Sequence, residues 1–177
     1  MSKNAYLTNL LGAFATSVSA GIEQEISKLG GRSLSHESAL VTIRNHPSDS
    51  IDVLSKVLGL THSGAVRLIN TLEQEKLVER HRNLDDGRSV VLRLTASGRK
   101  RADKVLHARE QVTAKVLDSL TASQQQALGP VLEAALNQIT DGEEAARRIC
   151  RLCDEGVCRS KGCPVERAAI PKSLRRS

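Results

Sequence analysis

Aromatic residues are almost missing from this chain, since Tyr6 and Phe14 stand alone among 177 residues and there is no tryptophan. A core built without them must come from Leu, Val, Ile and Ala, which suits packed helices. Few side chains are left on which unpaired bases could stack, so single-stranded nucleic acid is disfavoured as a target. No run approaches the roughly 20 apolar residues that cross a bilayer. The opening MSKNAYLTNLLGAFATSV is interrupted by Thr8, Asn9 and Ser17, unlike a signal peptide. A cytoplasmic protein with reduced thiols is expected, with no membrane partner. A nucleophile with its base, paired carboxylates and a phosphate-cradling glycine loop are also lacking. Ser63-Gly64 and Gly30-Gly31 are too short to count, and no catalysis is expected.

What is present has the balance of a soluble globular protein, 40% hydrophobic and 26% charged. The net charge of +6 is uneven: 0 over residues 1–30, +3 over 31–100, −1 over 101–149 and +4 over 150–177. A basic middle and a basic tail are compatible with phosphate backbones, and equally with a solvated charged surface, so the motifs must decide.

Between Asn4 and Leu29, apolar residues recur at Leu7, Leu11, Phe14, Val18, Ile22, Ile26 and Leu29, in steps of three and four. This spacing predicts one long amphipathic helix ended by Gly30-Gly31. Ser35 is read as the N-cap of a shorter helix through about Arg44. Ser50 caps a third helix, Gly59 supplies a tight turn, and Thr61 caps a fourth. The third and fourth form a helix-turn-helix. Burial of Ala65, Leu68, Ile69 and Leu72 leaves His62, Ser63, Val66, Arg67 and Asn70 on the opposite side of the fourth helix. Two β-type runs, Leu77–Arg82 and Ser89–Leu94, flank a turn-rich segment and read as a hairpin, the wing. Thr95 then opens a helix to about Ser119. Thr121 opens another to about Ile149, with Gly129-Pro130 expected to kink or interrupt it.

The segment Leu54-Ser55-Lys56-Val57-Leu58-Gly59-Leu60-Thr61 resembles an LAxxLGLS motif, and Val66-Arg67-Leu68-Ile69-Asn70-Thr71-Leu72-Glu73 resembles SRLVDRLE. Asp86-x-Arg88, then Leu94-Thr95 and Gly98-Arg99, reproduce DxRxxxxxLTxxGR. These motifs, in this order, resemble the MarR family of winged-helix transcriptional regulators over about residues 5–148. The resemblance implies a mainly α fold with a small β-hairpin wing and long terminal dimerisation helices. It divides the chain into an N-terminal dimerisation helix (1–30), a winged helix-turn-helix (31–100), C-terminal dimerisation helices (101–149) and a cysteine-rich basic tail (150–177). The apolar stripes agree with a homodimer, because a long exposed stripe needs a partner.

A homodimer of this kind binds double-stranded DNA at a roughly palindromic site, each recognition helix in a major groove. His62, Ser63, Val66, Arg67 and Asn70 are the candidate base-side residues. Arg67 is suited either to guanine or to a phosphate, and Val66 to a thymine methyl. At the wing, Arg88 is expected to reach the minor groove or its phosphates, with Asp86 holding it in shape. Ser55 and Lys56, with Arg80 and Arg82, are candidates for the backbone. Relatives also bind small aromatic acids, so a small-molecule effector is allowed, although the sequence marks no pocket. The competing reading is a winged-helix module that binds another protein.

Cys150, Cys153, Cys158 and Cys163 form C-x2-C-x4-C-x4-C-Pro, and the rest of the chain has no cysteine. Three chemistries suit them. Four thiolates can close a tetrahedral zinc site that staples the tail, the first choice on ligand count and spacing. Redox-active thiols flanked by Arg151, Arg159 and Lys161 come next. Iron–sulfur ligation comes third, since the spacing departs from the common ferredoxin run.

Overall fold

The computed structural model describes residues 4–82 and 90–170. The order of elements is α1 (Ala5–Ser27), α2 (Leu34–Asn45), α3 (Ile51–Leu58), α4 (His62–Gln74), β1 (Val78–Arg82), β2 (Val90–Leu94), α5 (Ala96–Asp118), α6 (Ala122–Ile139), α7 (Gly142–Cys150), α8 (Glu155–Ser160) and α9 (Pro164–Ala169). The fold is a mainly helical winged helix, as read from the sequence.

The local signals act where expected. The Ser50, Thr61, Thr95 and Thr121 side chains each accept a hydrogen bond from the first turn of their helix. Gly59 ends α3 in the left-handed region at φ 66°, which turns the chain into α4. The cap of α2 differs from the expectation: Ser33, not Ser35, precedes the helix. The Ser33 hydroxyl pairs with His36 Nδ1 at 2.8 Å rather than with a backbone N–H, so no capping bond marked the position.

Strands β1 and β2 pair antiparallel, with Val78 opposite Leu94 and Arg82 opposite Val90. The start of α5 is clamped beneath them. Thr95 Oγ1 donates to the Lys76 carbonyl at 2.7 Å while also capping Gly98 N–H. A Cβ on Gly98 would lie 2.0 Å from the Leu77 carbonyl oxygen, so only glycine permits this approach.

The main core unites the C-terminal end of α1 with α2, α3, α4, the hairpin and α5, around fully buried Leu40, Ile43, Leu54, Ile69, Leu72, Leu92 and Val105. Glu37 is buried in it as a charge and is matched by Arg101. Arg101 Nε lies 3.1 Å from both Glu37 carboxylate oxygens, and its remaining N–H groups reach the carbonyls of Leu29 at 2.5 Å and Gly30 at 3.2 Å. One guanidinium thereby pins the end of α1 to α2 and α5, with both Glu37 carboxylate oxygens paired.

Two features depart from the sequence reading. The helix opened by Thr121 passes through Gly129-Pro130 and stops at Thr140, where Gly142 adopts φ 76° and redirects the chain. The expected single helix to Ile149 is thus two, and the interruption lies at Asp141-Gly142, not at the proline. Beyond it, α7 and α9 fold back against the end of α6 around a second small core of Ala146, Cys163 and Val165.

In the first half of α1, Tyr6, Leu7, Leu10, Leu11 and Phe14 are exposed. Helix α6 buries no residue at all, and Val131, Leu132 and Ile139 on it are exposed.

Candidate functional site

The helix-turn-helix presents α4 as the sequence suggested. Ala65, Leu68, Ile69 and Leu72 are buried on one side, while His62, Ser63, Arg67 and Asn70 are exposed on the other and Val66 is half-buried between them. His62 Nδ1 pairs with Asp52 Oδ1 of α3 at 2.7 Å, holding the imidazole at the start of the helix. Asn70 is committed differently: its Oδ1 accepts from Arg80 Nη2 at 2.7 Å, and the same guanidinium pairs with Glu73. Arg80 therefore braces strand β1 against α4. Arg67 makes no ion pair with the described residues, and its side chain is exposed.

Lys56 is exposed on α3, as a phosphate contact requires. Ser55 is not: it is buried, and its hydroxyl donates to the Asp52 carbonyl at 2.8 Å, within the turn of its own helix. It is removed from the candidate contacts, because the inward-facing side of α3 covers it. Asp86 and Arg88, read from the sequence as the wing contacts, lie outside the described residues.

The four cysteines come together around one cavity of about 440 Å³, between α7, α8, α9 and the end of α2. Apolar Ala146, Val165 and Ala169 line it beside the sulfurs, together with His46, the cations Arg147 and Arg159 and the carboxylates of Glu143, Glu155 and Glu166. Cys163 is buried and the other three are half-buried. The turn after α7, in which Cys153 N–H donates to the Cys150 carbonyl at 2.8 Å, sets that pair side by side. A hydrogen bond from Cys150 draws the Cys153 thiol down, burial opposes it and Arg109 assists it, leaving Cys153 at about 6. Arg109 Nη2 stands 3.9 Å from its sulfur. Cys150 is pushed up by the same hydrogen bond and then by burial, and Cys158 is raised chiefly by burial. Among the described residues, no three His, Cys, Asp or Glu side chains are gathered closely enough to hold a metal ion as they stand.

The cysteine lobe is fastened to the helix-turn-helix. Asn45 Nδ2 donates to the Cys153 carbonyl at 2.9 Å, Arg148 Nη2 to the Lys56 carbonyl at 3.1 Å, and Arg147 pairs with Asp49. His46 Nε2 lies 2.9 Å from Glu155. Burial works against the Glu155 charge, but the hydrogen bond and charge of His46, with Arg159, hold its carboxyl below the usual range. None of these partners is visible from sequence spacing, since they lie about a hundred residues apart. The one local hint was Pro164 after Cys163, which stands at the first position of α9.

An exposed polar recognition helix, supported by a second helix across a left-handed glycine turn and followed by a two-stranded hairpin, defines a winged helix-turn-helix protein. Residues 31–89 match the model of the MarR family. The chain is 35% identical over 82 residues to the uncharacterized HTH-type transcriptional regulator YwhA of Bacillus subtilis, an alignment over 46% of this chain and 59% of that protein. The chain thus spans a little over half the length of that relative. A MarR family protein from Bacillus stearothermophilus superposes with a TM-score of 0.70 at 22% identity, over 80% of this chain and 99% of the other. A mutant MarR from E. coli complexed with operator DNA superposes with a TM-score of 0.56 at 22% identity, over 73% and 93% of the two chains. This chain has a winged-helix fold, and its residues 31–89 are similar to the MarR family.

Proposed function

We propose that the chain is a DNA-binding transcriptional regulator, a repressor that occupies a roughly palindromic duplex operator as a homodimer. The observation that carries this reading is the outward face of α4, where His62, Ser63 and Arg67 stand exposed with Lys56 of α3 nearby. Such a face suits a major groove, its polar and cationic groups meeting base edges and phosphates while the buried side stays in the core. The same fold carries operator DNA in the E. coli MarR complex, which supports this use. The exposed apolar residues of α1 and α6 support the homodimer, because Leu7, Leu11, Phe14, Val131 and Leu132 would otherwise face water together. Arg88, with Asp86, is assigned the wing contact on the sequence signature alone. Repression is the mode that the family resemblance implies.

The test is selection of duplexes from a random pool, followed by titration of the winner at several salt concentrations. A regulator that grips phosphates loses affinity steeply and linearly in log–log form. Recovery of no enriched sequence, or binding indifferent to salt, would refute the reading and leave a protein-binding module as its replacement.

A further inference from the structure

The proposed recognition helix leaves the C-terminal lobe unused, and within that lobe two thiols stand apart from the other two. Cys150 and Cys153 are hydrogen-bonded to each other across the turn that follows α7. We infer that this pair is an exchange dithiol: a low-molecular-weight disulfide entering the C-terminal cavity oxidises it to an intramolecular disulfide, and free thiols restore it.

The backbone brings the two residues within bridging range. Cys153 N–H donates to the Cys150 carbonyl at 2.8 Å, which closes a four-residue turn. Such a turn keeps its outer α-carbons within about 7 Å, and a disulfide spans about 4.4–6.8 Å between them. Both thiols line the cavity and are half-buried, so neither is sealed from a small reagent. Cys163, by contrast, is buried, and burial raises the Cys158 thiol. Among the described residues, no third ligating side chain joins the pair closely enough to hold a metal ion as they stand.

The surroundings divide the work between the two thiols. The Cys150 S–H donates to the Cys153 sulfur, and Arg109 Nη2 of α5 stands 3.9 Å from the same sulfur, so both favour negative charge there. Burial and the Glu155 carboxylate oppose that charge, yet the thiol lies at about 6. Cys153 is therefore the attacking thiolate at neutral pH, while Cys150 keeps its proton. Groups outside the lobe hold Cys153 in place: Arg109, and Asn45 of α2, whose Nδ2 donates to its carbonyl at 2.9 Å. In the first step the Cys153 sulfur bonds to one sulfur of the incoming disulfide, the small S–S bond breaks and one small thiolate leaves. In the second, the Cys150 sulfur bonds to Cys153, the mixed disulfide breaks and the other small thiol leaves with the Cys150 proton. The two cysteines lose two electrons, and the small disulfide gains them. A cavity of about 440 Å³ gives the substituents of that disulfide room that a peroxide would not need. Its lining carries Arg147 and Arg159 beside Glu143, Glu155 and Glu166, and charges of both signs suit thiols with amino-acid substituents.

The test exposes the full, reduced chain to glutathione disulfide, with hydrogen peroxide in a parallel sample. Intact and peptide masses should show a Cys150–Cys153 bridge with no glutathione retained, and reduced glutathione should reverse it. Cys150→Ser should stop at one glutathione held on Cys153; circular dichroism checks that the helices of each variant remain. Near pH 6 iodoacetamide should modify Cys153 about tenfold faster than an ordinary thiol, because half of it is ionised there and its lower basicity offsets only part of that gain. Arg109→Gln should move this pH profile upward and Arg109→Lys should restore it, which a purely structural Arg109 would not do. A bridge to Cys158 or Cys163 instead, glutathione retained by the parent chain, or an ordinary pH profile at Cys153 overturns the inference. Oxidation by peroxide alone overturns the small disulfide as the oxidant. None of these readouts uses DNA, so failure of the regulator reading leaves the dithiol to be judged separately.

Discussion

Arg147 of α7 is paired with Asp49 in the link between α2 and α3, although 98 residues separate them. Both side chains are largely shielded, at 15% and 16% exposure. Asp49 therefore holds the tail lobe with its side chain and the wing strand with its backbone carbonyl. Replacing Asp49 with Asn keeps the size but removes the charge, and a charge-assisted bond of this kind contributes about 1.5–3 kcal/mol. Amide exchange should speed up in α7, with β2 less affected. Unchanged protection in α7 would show that the other lobe contacts suffice without this pair.

Arg101→Leu should be the most damaging surface-to-core change in the winged helix. It strands Glu37, which is fully buried, and the loss expected for one partner of such a pair is about 3–5 kcal/mol. Adding Glu37→Leu should recover much of that loss, because an apolar pair of similar volume tolerates burial. Urea midpoints of the single and double variants decide the matter; a single variant within about 1 kcal/mol of the parent would mean that Glu37 escapes to water.

Gly98→Ala adds one methyl where the Leu77 carbonyl oxygen is 2.0 Å away. Backbone cannot yield as a side chain can, so the start of α5 must lift from the hairpin. A cost of about 1–3 kcal/mol or more is expected, read as a lower thermal midpoint with loosened β1. A neutral result would mean that the turn into α5 relaxes to admit the methyl.

At the recognition helix, Arg67→Ala should weaken the selected duplex by about 1–3 kcal/mol and leave the oligomeric state alone. If Arg67 reads a base, discrimination at one operator position relaxes; if it holds a phosphate, the salt slope falls by about one. Arg88→Ala should also weaken binding with the dimer intact. Retention of full affinity by both variants would remove α4 and the wing from the interface.

Leu11→Glu places a charge on the exposed stripe of α1, where the side chain already faces solvent. Sedimentation should then show monomers, and duplex affinity should fall because the two half-sites are no longer linked. A dimer of undiminished strength would mean that the stripe lies outside the subunit interface.

Much of the winged helix was legible because its determinants are local. Ser50, Thr61, Thr95 and Thr121 act within one helical turn, and the apolar spacing of α4 separates Leu68 and Ile69 from Arg67 without reference to the rest of the chain. Ser55 was misplaced because spacing alone cannot say how closely α3 is covered. Pro130 was given too much weight, since a proline removes one hydrogen bond but need not end a long helix, whereas the left-handed Gly142 does redirect the chain. The lobe was the least legible part. Its cysteines announced themselves by clustering, but α8 and α9 are six-residue helices without room for a periodic pattern. Their attachments through Asn45, Asp49 and Lys56 exist only once distant segments have folded together.

The scarcity of aromatic side chains has an optical consequence. Without tryptophan, near-ultraviolet absorption and emission come almost wholly from one phenol, that of Tyr6, a residue 77% exposed on the first turn of α1. That single chromophore sits beside the stripe proposed to meet a second subunit, so its emission should report association without an attached dye.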